Sequence, residues 1–99
     1  MKTDPLITVY ITNYNYGRFI KKAINSVLNQ TFKNFELIII DDGSKDKSKE
    51  IIKEFQNKIN IKIIFQKNKG LIVSNNLALR LSKAKYIMRL DSDDWLDPH

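Results

Sequence analysis

Two short acidic clusters are the residues of this chain best suited to chemistry: Asp41-Asp42-Gly43-Ser44 and Asp91-Ser92-Asp93-Asp94. In the second, an apolar run from Tyr86 to Leu90 stops abruptly in three carboxylates. A run of this kind reads as a buried strand. Side chains alternate across a strand, so Asp91 and Asp93 can point the same way where it ends. Two carboxylates on one side raise each other's pKa unless a cation lies between them. A hard divalent ion such as Mg²⁺ or Mn²⁺ takes oxygen ligands, keeps one or two carboxylates, and binds phosphates with the rest of its shell. The plain alternative is a polar strand end, with Asp94 or Asp97 capping the next turn.

The elements that must position these acids alternate in period. Leu6 to Thr12 is β-branched and aromatic and predicts a first strand, stopped by the turn formers from Asn13 to Gly17. From Arg18, apolar residues fall at Phe19, Ile20, Ala23, Ile24, Val27 and Leu28, a helical spacing. Phe35 to Ile40 predicts a second strand, apolar throughout as a strand covered on both faces should be. Asp41 to Ser44 is its exit turn; Gly43 can take positive φ, and Ser44 or Asp46 can cap the next helix. That helix runs from about Lys47 to Asn57 with Ile51, Ile52 and Phe55 inward. Ile61 to Phe65 is a third strand. Ile72 to Ser82 is a third helix, burying Val73, Leu77 and Leu81, and the run ending at Leu90 is a fourth strand.

The order is β-α-β-α-β-α-β, and crossovers of this length favour parallel pairing. The expected fold is an α/β one: an open, mostly parallel twisted sheet with helices on both faces. In such sheets ligands bind outside the carboxyl ends of the strands, where the strand order reverses. Thr12 to Tyr16, Asp41 to Ser44 and Asp91 to Asp94 all fall on that rim.

Bulk properties narrow the field. At 99 residues the chain is at most one domain. It has no cysteine, and its single histidine is His99, so thiolate metal sites and histidine-based triads are excluded from these residues. No apolar stretch is long enough to span a bilayer and no signal-peptide core begins the chain, so a cytoplasmic location is expected. The net charge of +6 raises nucleic acid as a partner, but Lys supplies 14 of the 17 basic residues, many at solvent-face helical positions. Six of the 11 acids instead concentrate at two strand ends, which favours a metal and nucleotide site over a nucleic-acid one.

With these segments in hand, the chain resembles the inverting nucleotide-sugar glycosyltransferases of family 2, which have the GT-A, Rossmann-like fold. The likeness rests on Thr8 to Asn15 followed by Ile24 to Phe32, on Phe35 to Ser44, and on Asn68-Lys69-Gly70, Asn76 and Tyr86 to Trp95 with Pro98. The resemblance implies that residues 1–99 are the nucleotide-sugar-binding N-terminal half of such a domain. It implies a base pocket lined by Thr12 and Tyr14, with Asn15 and Asp41 beside it and Asp42 accepting from the base. It further implies Asp91 contacting ribose or metal, and Asp93 as the metal ligand. An ionised carboxylate only accepts, so it selects a base edge that donates, as uracil N3–H does. The implied cofactor is Mn²⁺ or Mg²⁺, and the implied donor a nucleotide-diphosphate sugar, UDP-linked.

Two positions depart from the family's habit. Asn75-Asn76 stands where an Arg often precedes the Asn, and Ala84-Lys85 where Gly-Glu often precedes the strand. The family's general base and acceptor site lie well beyond the Asp-x-Asp motif. A sugar, lipid or glycan acceptor would therefore be met outside this stretch, in a longer protein at the membrane face, and the stretch alone is expected not to transfer. Two other classes compete: a non-catalytic nucleotide-binding scaffold, and a haloacid-dehalogenase-like phosphotransfer domain using Asp91 as nucleophile and Asp93 as acid. An open fourth strand also predicts self-association through that strand or the surface around Trp95.

Overall fold

The computed structural model describes residues 5–58 and 60–94, so the expectations placed on Trp95, Asp97, Pro98 and His99 lie outside the described residues. The β-branched runs become β1 (Ile7–Asn13), β2 (Phe35–Asp42), β3 (Ile61–Gln66) and β4 (Tyr86–Asp91). Between them lie α1 (Gly17–Leu28), α2 (Ser48–Lys53) and α3 (Leu71–Leu81). The strands form one sheet in the order β3-β2-β1-β4, and every neighbouring pair is parallel. The chain steps outward from β1 to β3, then returns to the far side of β1, so the order reverses between β1 and β4.

Period two divides the strand side chains between two cores. Val9 and Ile11 of β1, with Phe35, Leu37 and Ile39 of β2, meet Ile20, Ala23, Ile24 and Val27 of α1 and Ile52 of α2. Tyr10, Ile38 and Ile40 face the opposite way and meet Ala78 of α3, flanked by Leu77 and Leu81. Helices therefore cover both faces, as expected. Each fully buried Ile contributes about 1.5–3 kcal/mol, and β2, with every residue buried, is the centre of the core.

Several details differ from the sequence expectation. Val73 is 41% exposed; Ser74 and Ala78 are the buried residues of α3. Small side chains let the helix backbone lie close to the sheet, and the larger Val73 is turned aside. Phe19 is likewise exposed, its ring beside Arg18 and Tyr16 at the start of α1. The regular part of α2 ends at Lys53, and Phe55 packs into the core from the turns that follow. β4 is not buried as its apolar run suggested: only Leu90 is, because β4 is the last strand of the sheet. No helix among the described residues is long and apolar enough to cross a membrane.

Candidate functional site

The carboxyl ends of β1 and β2 are joined by a network of side chains from residues 13 to 17 and 41 to 48. Asn13 donates from Nδ2 to Asp41 Oδ1 at 2.9 Å and to Ser44 Oγ at 3.3 Å. Ser44 in turn donates to Asp41 Oδ1 at 2.6 Å, and its backbone N–H meets Asp41 Oδ2 at 3.0 Å. The Asn15 N–H donates to Ser44 Oγ, and Asn15 Oδ1 accepts the Lys45 N–H at 2.8 Å. Asn15 holds this position with φ 59°, a left-handed conformation that Asn tolerates better than most residues. Gly43 is needed at φ +79°, where a Cβ would also lie 2.7 Å from the Asn68 backbone nitrogen.

This network separates the two neighbouring acids of the first cluster. Asp41 is fully buried on the α1 side, its oxygens taken by Asn13 and Ser44. Asp42 faces the other way, 7% exposed. Its Oδ1 accepts from the Gln66 amide at 2.9 Å and the Lys69 N–H at 2.7 Å; Oδ2 accepts the Gly70 N–H at 2.9 Å. Burial pushes the Asp42 carboxyl up, but these donors and the Lys69 charge outweigh it and hold the group below the usual carboxylate range. Asp42 is thus kept ionised, with acceptor capacity remaining on Oδ2.

A small open cleft lies against Asp42, lined by Thr12, Asn13, Tyr14, Leu71 and Ser74. The structure therefore brings Thr12, Tyr14 and Asp42 together on one cleft. It sets Asp41 and Asn15 behind that wall as the supports of the β1 and β2 loops. Leu71, Ser74 and Gln66 were not foreseen. They come from β3 and α3, and no local pattern announces a contact across 24 residues, as from Gln66 to Asp42. Asn75, at the position of the often-found Arg, has a buried Oδ1 with no partner.

The second cluster stands next to the cleft on the same rim, because Thr12 of β1 is the register partner of Asp91 in β4. Carboxylate oxygens of Asp91, Asp93 and Asp94 lie within 4.8 Å of one another, all three residues exposed. Asp94, expected as a plain strand-exit residue, joins them because its N–H turns back to the Asp91 carbonyl at 3.0 Å. The donor set is all oxygen and acidic, which fits a hard divalent ion. Arg89 Nε lies 3.5 Å from Asp91 Oδ1 and offsets part of the charge.

Fold and rim together define a parallel α/β unit with a polar cleft and a carboxylate cluster at its topological switch point. The glycosyl transferase family 2 model matches residues 8–99, and the chain belongs to that family. The chondroitin synthase of Escherichia coli is 42% identical over 99 residues, covering 99% of this chain and 14% of that protein. A fragment of S. aureus TarS solved in complex with UDP superposes with a TM-score of 0.85 at 28% identity, covering 95% of this chain and 29% of that one. The same fragment has been solved with UDP-GlcNAc. A mannosyltransferase from Pyrobaculum calidifontis, in complex with GDP-Man and Mn²⁺, shares the fold at a TM-score of 0.83 and 19% identity, covering 94% of this chain and 29% of that one. The chain thus spans between a seventh and under a third of the length of these proteins. Membership of the family sets aside the phosphotransfer alternative.

Proposed function

We propose that this chain is the donor-binding part of a glycosyltransferase that takes a UDP-sugar with a divalent cation and transfers the sugar with inversion. The observation that carries the reading is the shared rim: Thr12, Tyr14 and Asp42 line one cleft, and Thr12 pairs directly with Asp91. Uracil fits such a site, because its N3–H donates to an ionised acceptor such as Asp42. The UDP and UDP-GlcNAc complexes of TarS support the same donor class. Asp91 and Asp93, with Asp94 beside them, would hold Mn²⁺ or Mg²⁺. When bound, that ion supplies charge neutralisation for the diphosphate leaving group. The acceptor and the general base belong to residues outside these 99, so the stretch alone binds donor without transferring it.

The test is calorimetric titration of UDP with and without Mn²⁺, on the chain and on Asp93→Ala. Binding should require the ion in the unaltered chain and lose that dependence in the variant. UDP binding of equal strength in both proteins, with no effect of Mn²⁺, would overturn the metal assignment.

A further inference from the structure

The positive charge of this chain is unevenly placed. Residues 43–70 hold eight lysines, no arginine and three acids, a net of +5 in a chain whose net charge is +6. Folding gathers four of these lysines around one aromatic ring. Lys45, Lys49 and Lys67 line an open groove with Phe65 and Asn68, between the loop after β2 and the loop after β3. Lys49 and Lys53 are one helical turn apart on α2, and the Lys53 ammonium lies 5.9 Å from the centre of the Phe65 ring. Phe65 is 38% exposed. No carboxylate among the described residues lines the groove. Two of the three acids are drawn elsewhere: Asp46 to the Gly17 and Ser48 N–H groups, and Glu54 to Lys21 of α1 at 3.6 Å. Lys45, Lys49 and Lys67 are exposed and form no ion pair among the described residues. Gln66 stands between this groove and the donor cleft, its amide bonded to Asp42 and Ser74 on the cleft side. The acidic cluster after β4 lies at the opposite edge of the described sheet, so it does not neutralise these lysines.

We propose that this groove and its lysines are a docking surface for an anionic lipid bilayer, met with Phe65 at the headgroup boundary. Charge complementarity carries the assignment: an anionic leaflet attracts basic residues that come within a Debye length of it. The kind of cation selects the partner. Lysine is a hydrated point charge on a flexible stem, matched to the diffuse field of a headgroup layer. Recognition of individual phosphates on a nucleic acid draws on the bidentate fork of arginine, and residues 43–70 contain none. Phe65 has no polar group to offer a partner, and an exposed apolar ring among ammonium groups is the pattern of an interfacial contact. No helix among the described residues could cross a membrane, so the contact is peripheral. The groove opens at the carboxyl ends of β2 and β3, so docking would set the carboxyl rim of the sheet beside the bilayer. None of this depends on the nucleotide reading.

Co-sedimentation with vesicles tests the proposal. The chain should bind phosphatidylcholine vesicles containing about 30% phosphatidylglycerol at about 0.1 M salt and leave them at about 0.5 M. Vesicles of phosphatidylcholine alone should not bind it. Lys49→Glu combined with Lys67→Glu should weaken binding by more than about tenfold. Lys83→Glu combined with Lys85→Glu makes the same change of charge before β4, at the other end of the sheet. That pair should cost less than about threefold, because charges farther from the surface than a Debye length are screened. All four positions are exposed, and circular dichroism verifies that each variant folds. A chain that ignores anionic vesicles, binds neutral ones equally well, or loses the same affinity in both double variants would overturn the proposal. Retention on immobilised polyphosphate with no binding to anionic vesicles would overturn it as well, and would assign the groove to a polyanionic chain.

Discussion

The Asp42 carboxylate receives three donors, one from Gln66 at the end of β3 and two from Lys69 and Gly70 in the loop that leads into α3. Asp42→Asn keeps the size but offers one oxygen and adds two donors of its own. At least one of the three partners is then left unpaired or faces another donor, at a cost of about 1–3 kcal/mol. For a domain of this size that lowers Tm by roughly 4–8 °C per kcal/mol. UDP affinity should fall by a similar 1–3 kcal/mol if the base is read by this group. Calorimetry beside thermal unfolding separates the two effects; a lower Tm with unchanged UDP affinity would remove Asp42 from base recognition. The pH dependence follows in sign. Asp42 is held below its ordinary value of 3.8, so its contribution is complete above that value and is lost as pH falls further, through the folded value. Urea unfolding followed from neutral pH down to about pH 2.5 should show that loss, and Asp42→Asn should flatten it. The acid itself was legible at a strand end in the sequence. Its donors were not, because they are tertiary and two of them are backbone groups without a residue signature.

Helices α1 and α2 both begin without a side chain of their own at the cap. Asp46 serves the two together: Oδ2 accepts the Gly17 N–H and Oδ1 the Ser48 N–H, each at 2.9 Å. Its pKa is pushed up by what burial it has and more strongly lowered by the Ser48 hydroxyl and the Ser48 and Gly17 N–H groups. The sequence offered Ser44 or Asp46 as cap for α2. Asp46 takes that part, while Ser44 is drawn instead into the bonds with Asp41 and Asn15. The bond to α1 had no sequence signal, since Gly17 and Asp46 are 29 residues apart. Asp46→Ala should therefore destabilise by more than an ordinary cap, about 1 kcal/mol for each helix start. Asp46→Asn, which keeps one carbonyl acceptor, should recover part of the loss. Urea midpoints at neutral pH measure both; equal stability of Asp46→Ala and the parent would show that the two bonds contribute nothing net. Element identities were legible because β-branched runs and helical spacing are local properties. The face of α3 was not, because close approach selected Ser74 and Ala78 over the larger Val73.

Across the whole molecule, the two ends of the sheet carry different polar networks. The carboxyl rim holds the cleft and the exposed acids. Toward the other end, on the α3 side, Glu36 is 8% exposed and accepts the Thr8 hydroxyl at 2.7 Å and the Lys83 N–H at 3.0 Å. Thr8 also bonds Ser82, so this group ties β1, β2 and the turn between α3 and β4 into one unit. Nothing in the sequence marked Glu36, a lone acid in a run of apolar residues, as a tertiary anchor. Glu36→Ala leaves the Lys83 N–H and part of the Thr8 hydroxyl's capacity unmet, at about 1–3 kcal/mol. Asp42 lies six residue steps along β2 from position 36, about 20 Å of strand, too far for a local packing change to carry through a rigid central strand. The variant should therefore unfold several degrees earlier, by the same roughly 4–8 °C per kcal/mol, while its folded form binds UDP with Mn²⁺ as the parent does. Thermal unfolding and calorimetry well below the variant's Tm test both halves. A UDP affinity that falls along with Tm would mean that the turn before β4 is coupled to the rim through β4 itself, and that the ends of the sheet are not independent.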